Sequence, residues 1–469
     1  MYSVTGNKDA VLTLMRDTVD ELGHPPAETT SKHRARDRSV SVPAPSSAQR
    51  ELARSMWSPA LQKMESQHSK ARGQRSVAAT TSPDVEERAV GTPFAPRDQH
   101  IAVFQSAMDE YLEQIGVAPD AGAIAAPQGR TRTAGADESR GASLDDFYNE
   151  KADPGQRPRG AERAFDLLVK YGKLDPHWVD VVVEKAQVLA RGKHPFVSHQ
   201  SGSDFRFAMD NQATVAIVGD WGGGNAAAQA VAAQIRNLNP DHVIHLGDVY
   251  YSGTPKEVEE RFLRYWPAPH APGRSFALNS NHEMYSGGYG YFDLTLRTFG
   301  QPASYFSLSN DHWRLIGLDT GYDEHDLHPP QAEWLGQQLS GGAKNILLSH
   351  HQLFSAYERT DASRLRAKVA PVLPQIYGWI WGHEHLAVVY DKHDGINAIC
   401  LGNGCFPYDL PRARPAVPIK WIDDRKSDDV FYPGQHTFAL LRLDGPRIDL
   451  EFVDEGGNVV HREQWPPLG

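Results

Sequence analysis

Five short clusters of metal-ligating residues lie in a fixed order between residues 217 and 386, each directly behind an apolar run that predicts a strand. They are Gly219-Asp220-Trp221-Gly222, Gly247-Asp248-Val249-Tyr250-Tyr251, Asn281-His282-Glu283, His350-His351 and Gly382-His383-Glu384-His385. One such cluster alone is also typical of an ordinary turn or helix cap. Five clusters of carboxylates, amides and imidazoles, all at strand ends, instead predict a two-metal hydrolytic site.

The oxygen donors come from the first three clusters. Asp220 and Asp248 each follow a strand and a glycine, which offers a carboxylate at the carboxyl edge of a sheet. Neighbouring ionised carboxylates repel each other, so bound cations are the natural way to satisfy them, and a carboxylate can bridge two cations. Asn281 adds an amide oxygen without charge, although Asn281-His282 by itself would equally fit an Asx turn with a surface histidine.

The nitrogen donors come from the last two clusters. His383 and His385 flank Glu384, so in an extended loop both imidazoles project to the same side and suit adjacent metals. His350 directly follows an apolar strand and supplies a further ligand. Its neighbour His351 is expected to point the other way, behind the ligands or into the core.

Residues 205–469 alternate apolar strands with amphipathic helices. The predicted strands are 215–218, 242–246, 275–278, 313–318, 345–349, 378–381, 397–401, 437–443, 447–453 and 459–462, and the predicted helices are 226–238, 258–266 and 331–339. The pattern predicts an α/β fold, a two-layer β-sandwich flanked by helices, in which loops at strand ends hold the ligands.

The amino-terminal part of the sequence differs in composition and in its pattern of apolar residues. Residues 1–98 are predicted to be largely disordered with short helices, because 24–50 and 70–98 are rich in Pro, Ser, Thr, Arg and Ala. Residues 99–200 are predicted to be a helical accessory region. Its helices are expected at 99–116, 161–171 and 175–191, with a further disordered stretch at 128–143. Its sequence identifies neither a chemical role nor a protein partner.

Composition excludes several classes of protein. The chain has 469 residues, which exceeds the usual size of one domain, and a formal net charge of −11, which argues against wrapping a nucleic-acid backbone. No apolar stretch approaches the roughly 20 residues that span a bilayer, so no membrane partner is expected. The start of the sequence lacks the features of a secretory signal, and Cys400 and Cys405 are expected to be reduced thiols. We therefore expect a cytoplasmic protein.

The order of the five clusters resembles the calcineurin-like metallophosphoesterase superfamily over residues 211–465. That family usually opens with Asp-X-His, whereas this chain has Gly222 in the histidine position and Tyr251 three residues after Asp248. This exchange is similar to the purple acid phosphatase branch, in which a tyrosinate binds iron(III). The segment Gln331–Leu335 is also similar to that branch.

The resemblance implies a complete set of site residues. The first metal would take Asp220, Asp248, Tyr251 and His385, and the second would take Asp248, Asn281, His350 and His383. Asp248 would bridge the metals and His282 would face the substrate phosphate, so both are expected to be catalytic. The implied cofactors are two metal ions, iron paired with iron, zinc or manganese. Tyr250 and Tyr251 are adjacent and either phenol could pack under the loop, but the spacing favours Tyr251.

The predicted activity is hydrolysis of small phosphate monoesters or diesters by a hydroxide that bridges the metals. A cyclic-nucleotide or nucleotide phosphodiesterase is an alternative, decided by the pocket walls, for which Tyr285–Tyr291 and Pro407–Pro418 are candidates. Arg412 and Arg414 either grip a distal phosphate or are solvated. A non-catalytic metal-binding scaffold is a further alternative. The histidines that some relatives carry after the fourth cluster are absent, which leaves the leaving-group acid unassigned.

Overall fold

The computed structural model describes residues 8–24, 45–74, 98–114, 176–358, 361–406, 414–425 and 434–466. The chain divides into two compact units. The first comprises residues 1–81, 103–121 and 127–192, and the second comprises 82–102, 122–126 and 193–469. The longest segment of the second unit starts at Lys193, twelve residues before the predicted start of the domain at 205.

Helices make up the described amino-terminal region: α1 (Lys8–Leu22), α2 (Ser47–Gln74), α3 (Gln99–Gln114) and α4 (Pro176–Ala190). The α3 and α4 helices lie where the apolar spacing predicts them, whereas α2 has 28 residues in a region predicted to hold short helices. Within the first unit, the buried Trp57 ring meets Phe104 edge-on at 5.5 Å, which packs α2 against α3. Most of the predicted disorder, and the predicted helix at 161–171, lie outside the described residues.

The second unit contains fourteen described strands. They are β1 (Arg206–Ala208), β2 (Gln212–Val218), β3 (His242–His245), β4 (Ser275–Ala277), β5 (Phe306–Ser309), β6 (Trp313–Gly317), β7 (Lys344–Ser349), β8 (Ile376–Trp381), β9 (Ala387–Tyr390), β10 (Asn397–Leu401), β11 (Ile419–Ile422), β12 (Thr437–Asp444), β13 (Arg447–Asp454) and β14 (Val459–Trp465).

The helices between these strands are mostly short. They are α5 (Ala226–Leu238), α6 (Pro255–Glu257), α7 (Asn281–Met284), α8 (Leu296–Phe299), α9 (Gln331–Gln338) and α10 (Ser363–Val369), with π-helical turns at Val258–Phe262 and Gly290–Thr295 and 3-10 turns at Leu263–Tyr265 and Leu373–Gln375. The helix predicted at 258–266 is therefore a π-helical turn followed by a 3-10 turn. None of the helices in the described ranges is both long and apolar enough to cross a membrane.

The strands form two sheets. One has the order β1-β5-β6-β7-β8-β10-β9-β11 and the other β14-β13-β12-β2-β3-β4. In the second sheet β2, β3 and β4 run parallel, and in the first β6, β7, β8 and β10 do so. Because parallel strands end at the same edge of a sheet, each sheet presents several loops at one edge.

The period of two along the strands sorts their side chains between two cores. Ile217 and Ile244 from one sheet, with Ile346 and Ile380 from the other, belong to the core between the sheets. Alternate residues of β7 and β8 face away from the other sheet. There the fully buried Trp379 belongs to a second core with Leu347 and with Trp334 and Leu335 of α9. The predicted fold class, two layers of sheet flanked by helices, is confirmed.

Candidate metal centre

Loops at the carboxyl ends of parallel strands bring the predicted ligands together. Asp220 lies two residues beyond β2, Asp248 three residues beyond β3, and His350 directly beyond β7. All three side chains are buried, and one ligand atom from each lies within 4.8 Å of the others. The two sheets thus contribute to one buried cluster, although these residues are up to 130 positions apart in the sequence (350 − 220 = 130).

The second metal position is defined by His350. Its Nδ1 lies 3.0 Å from the carbonyl oxygen of Leu246, which can only accept, so the proton is on Nδ1 and the neutral ring has a lone pair on Nε2. That Nε2 lies 3.0 Å from Asn281 Oδ1, 3.1 Å from His383 Nδ1 and 3.2 Å from Asp248 Oδ1. Three possible ligand atoms, two oxygens and a ring nitrogen, therefore converge on the Nε2 lone pair, which is the arrangement that a cation satisfies.

The orientation of the Asn281 amide is fixed by its other end. Asn281 Nδ2 donates to the Tyr285 hydroxyl at 2.8 Å, so Oδ1 is the atom that faces His350. Tyr285 also lies against the His282 ring, with centroids 4.9 Å apart. The loop proposed as a pocket wall therefore starts with a residue that holds a predicted ligand in place.

The first metal position lies around Asp220. His385 Nε2 is 3.3 Å from Asp220 Oδ1, and the backbone N–H of His383 donates to Asp220 Oδ2 at 2.8 Å. The hydroxyl of Tyr250 lies 2.8 Å from Asp248 Oδ2, 3.3 Å from Asp220 Oδ1 and 3.0 Å from His385 Nε2. Two carboxylates, an imidazole and a phenol therefore surround this position.

The phenol that lies beside Asp220 and Asp248 is that of Tyr250, the neighbour of the tyrosine that the spacing favours. Tyr251 is buried, but its ring lies beside the Arg261 guanidinium at 5.7 Å and its backbone N–H donates to Glu257 Oε1 at 2.7 Å. Spacing alone counts residues after Asp248 without showing which way the backbone turns each side chain. We therefore assign the phenol donor to Tyr250.

Gly222, which occupies the usual histidine position, takes part in placing Tyr250. Its N–H donates to the carbonyl of Asp248 at 3.0 Å, and its own carbonyl accepts from the Tyr250 N–H at 3.1 Å. A Cβ at this glycine would lie 2.5 Å from the Asp248 carbonyl oxygen and 2.7 Å from the Val249 Cα. A histidine therefore cannot be accommodated here with the present backbone, and the space next to the first metal position goes to the phenol.

The electrostatics of the centre require positive charge. Burial, together with the neighbouring charge of Asp248, raises the pKa of the Asp220 carboxyl well above its ordinary value. Burial would also raise the pKa of Asp248, but the positive charge that His282 and His350 carry when protonated, together with the Ser280 hydroxyl, outweighs burial and lowers that pKa. The two carboxylates are thus both ionised only when cations offset their repulsion.

Residues behind the ligands orient Asp248. The Ser280 hydroxyl donates to Asp248 Oδ1 at 2.5 Å and also contacts Glu283, whose Oε2 accepts from the Asp248 N–H at 3.2 Å. Burial and the charge of Asp248 raise the pKa of Glu283 to about 8. Ser280 belongs to none of the five sequence clusters, so its hydrogen bond to the Asp248 carboxylate was not predicted.

Backbone conformation also marks the site. Asp220, Asp248, His383 and His385 have φ values of 55°, 81°, 69° and 53°, in the left-handed region that residues other than glycine rarely adopt. Such conformations cost free energy and persist where the surroundings hold them, often at functional sites. Here they turn the side chains of strand-end residues into the cluster.

His282 lies next to the predicted metal ligands. Its Nδ1 is 2.5 Å from the carbonyl oxygen of Tyr251, so Nδ1 donates, and its Nε2 is 3.9 Å from Asp248 Oδ2. The ring meets the Tyr250 ring at a centroid distance of 4.6 Å. Nε2 therefore faces the metal positions and is free of the backbone bond, as a proton donor or charge stabiliser requires.

His282→Ala is expected to retain bound metal and to lose roughly 10²–10⁴-fold in turnover, the range of a missing general acid or base. Metal content and kcat are measured on the same preparation. The matched control is His393→Ala, whose side chain is 37% exposed and has Nε2 3.9 Å from Asp394 Oδ1. Loss of metal from the His282 variant would make this residue a ligand instead.

The segment similar to purple acid phosphatases has a structural explanation. Gln331, at the start of α9, clamps the loop after β6: its Oε1 accepts from the Asp319 N–H and its Nε2 donates to the Asp319 carbonyl, both at 2.9 Å. The second candidate pocket wall, Pro407–Pro418, is only partly described. Arg412 lies outside the described residues, and Arg414 is exposed.

Comparison with known proteins finds similarity to a phosphoesterase family and to an acid phosphatase. Residues 213–387 match the family described as "Calcineurin-like phosphoesterase". The chain is 21% identical over 294 residues to tartrate-resistant acid phosphatase type 5 of Sus scrofa. The aligned region covers 53% of this chain and 85% of the relative. The family match spans all the strand-end clusters from Asp220 to His385.

Solved structures with a similar arrangement share little sequence. GAP50, the anchor in the inner membrane complex of Plasmodium, gives a TM-score of 0.41 at 13% identity over 54% of this chain and 88% of that protein. A dimetal phosphatase from Danio rerio gives a TM-score of 0.36 at 13% identity, over 54% of this chain and 98% of that protein. TM-scores below 0.5 do not by themselves establish function.

Residues 213–387 of this chain carry the sequence pattern of the calcineurin-like phosphoesterases, and the resemblance to the superfamily and to its purple acid phosphatase branch is confirmed.

Proposed function

We propose that this protein hydrolyses small phosphate esters at a dinuclear metal centre. The observation that carries the proposal is the convergence of lone pairs around His350 Nε2, where an amide oxygen, a carboxylate oxygen and a second imidazole nitrogen lie within 3.2 Å. A carboxylate oxygen and an amide oxygen, which can only accept, face the His350 Nε2 lone pair, and a cation satisfies all of these groups at once. The match to the phosphoesterase family and to an acid phosphatase supports the reaction class.

The donor set divides between two metals. The first would be held by Asp220, Asp248, Tyr250 and His385, and the second by Asp248, Asn281, His350 and His383. When bound, the two cations supply an activated water nucleophile and neutralise negative charge on the phosphoryl oxygens. The hard, anionic phenolate suits iron(III) at the first position, and iron, zinc or manganese fits the nitrogen and oxygen donors of the second.

The remaining residues of the centre position these donors and the substrate. Ser280 fixes the Asp248 carboxylate, Glu283 accepts from the Asp248 backbone N–H, and Tyr285 fixes the Asn281 amide. His282 is placed to stabilise the phosphate or to move a proton through Nε2. Because these contacts exist before substrate binds, the electrostatic environment of the reaction is already organised.

Metal analysis combined with a substrate panel tests this proposal. We expect the purified protein to hold at least two equivalents of metal, one of them iron, and to hydrolyse aryl phosphate monoesters, with bis-aryl diesters and cyclic nucleotides defining its preference. Removal of metal by a chelator should abolish turnover, and readdition should restore it. A full complement of metal with no turnover of any phosphoester would instead favour a metal-binding scaffold.

A further inference from the structure

A second cluster of imidazoles adjoins the metal centre. Ring nitrogens of His325, His351 and His383 lie within 4.8 Å of one another. The ring centroids are 4.1 Å apart for His325 and His351, 4.6 Å for His351 and His383, and 5.5 Å for His325 and His383. His325 is absent from all five clusters of the sequence and comes from the loop between β6 and α9. The structure therefore adds a histidine that no sequence spacing indicates.

Thr320 holds two of these histidines in place. Its carbonyl accepts from the His325 N–H at 3.1 Å, and its hydroxyl accepts from the His351 N–H at 3.0 Å. The loop that carries Thr320 is itself fixed, because the Asp319 carboxylate accepts from the N–H groups of Gly321 and Tyr322 at 2.9 and 2.8 Å. The cluster is thus built on a constrained backbone.

His325 shares the backbone conformation of the predicted ligands. Eight non-glycine residues among those that the structure describes have positive φ, and His325, at 54°, is one of them. Asp220, Asp248, His383 and His385 account for four more. A left-handed histidine is sterically costly and indicates a position that the surroundings select.

We propose that His325, His351 and His383 bind a third divalent cation of the zinc class. Imidazoles suit zinc, and three protein ligands leave a fourth position open for water or an oxyanion. His383 belongs to this cluster and to the proposed second metal position. A neutral imidazole offers one lone pair, so when both cations are bound the His383 ring gives up its N–H proton to solvent and holds one cation at each nitrogen. The third site therefore rests on the proposed function only through His383, and its other ligands, His325 and His351, are separate from the dinuclear centre.

Zinc titration of the metal-free full-length protein tests the third position. The wild type should bind three equivalents, and His325→Asn should bind two, with affinity for the third reduced at least about 10²-fold, since even residues behind a ligand contribute 10–100-fold. Asparagine is chosen because it tolerates positive φ. His325→Cys supplies a thiolate and should restore the third equivalent.

The matched control is His328→Ala, on the same loop, whose Nδ1 is 2.7 Å from Asp323 Oδ2 and whose side chain is 33% exposed. It should still bind three equivalents. A wild type that binds three equivalents and a His325→Asn variant that also binds three would overturn the third site, as would a wild type with only two that His325→Asn leaves unchanged.

Asp248→Asn separates this inference from the proposed function. It removes the bridging ligand of the pair and leaves His325, His351 and His383 intact, so one zinc equivalent should remain. A wild type that binds a single equivalent, retained in Asp248→Asn and lost in His325→Asn, would support the three-histidine site and refute the dinuclear centre. Circular dichroism of each metal-free variant confirms that it is folded.

Discussion

Asp248→Asn is expected to abolish most phosphoesterase activity and to weaken binding of both metals of the pair. Asp248 is the residue whose two carboxylate oxygens face both positions, with Oδ1 3.2 Å from His350 Nε2 and Oδ2 2.8 Å from the Tyr250 hydroxyl. An amide removes the negative charge and one acceptor. Metal catalysis is worth several kcal/mol, and each 1.36 kcal/mol is tenfold, so turnover should fall at least roughly 10³-fold.

The measurement for this variant is metal content together with kcat on an aryl phosphate. Asp444→Asn is the control, because this aspartate lies in the exposed β12–β13 turn with Arg447 and Gln212 as partners. It should keep wild-type metal and turnover. An Asp248→Asn protein that holds both metals and works at near wild-type rate would show that the bridging assignment is wrong.

The second large effect is spectroscopic. Protein loaded with iron(III) should have a visible tyrosinate-to-metal charge-transfer band, and Tyr250→Phe should abolish it, because the Tyr250 hydroxyl is the phenol that lies between Asp220, Asp248 and His385. Phenylalanine preserves the ring, which packs at 4.4 Å from the Phe406 ring, so the loss would be that of one oxygen donor.

Tyr251→Phe is the internal control for the band. This variant removes the hydroxyl of the neighbouring tyrosine. It keeps the ring contact with Arg261 at 5.7 Å and the hydrogen bond from the backbone N–H to Glu257. The band should persist in this variant. A band that survives Tyr250→Phe and disappears with Tyr251→Phe would restore the assignment that the spacing favours, and an iron-loaded protein without any band would remove the phenol from the centre.

The strand-end positions of the ligands could be predicted from the sequence because each depends on a local pattern. Apolar runs such as 215–218 and 345–349 form strands, and a polar residue directly behind a buried parallel strand falls at the sheet's carboxyl edge. The convergence of two such edges required only that the strands belong to one sandwich. That is why Asp220, Asp248 and His350 lie together as expected.

Features that depend on loop backbone could not be predicted in the same way. Which of two adjacent tyrosines faces the centre is set by the path of residues 248–251 and by the bridge from Gly222 to Val249. Four short strands, β1, β5, β9 and β11, were not predicted; each has three or four residues and pairs with a neighbouring strand. His325 reaches the centre through a loop whose left-handed turn leaves no periodic signal.

Anomalous X-ray diffraction at the absorption edges of iron, zinc and manganese tests the central claim most directly. The account predicts two anomalous peaks within coordination distance of Asp248, one also contacting Asp220, Tyr250 and His385 and the other contacting Asn281, His350 and His383. A single peak near Asp248, or metal-replete crystals whose peaks lie away from these side chains, would contradict a dinuclear centre at this edge of the sandwich.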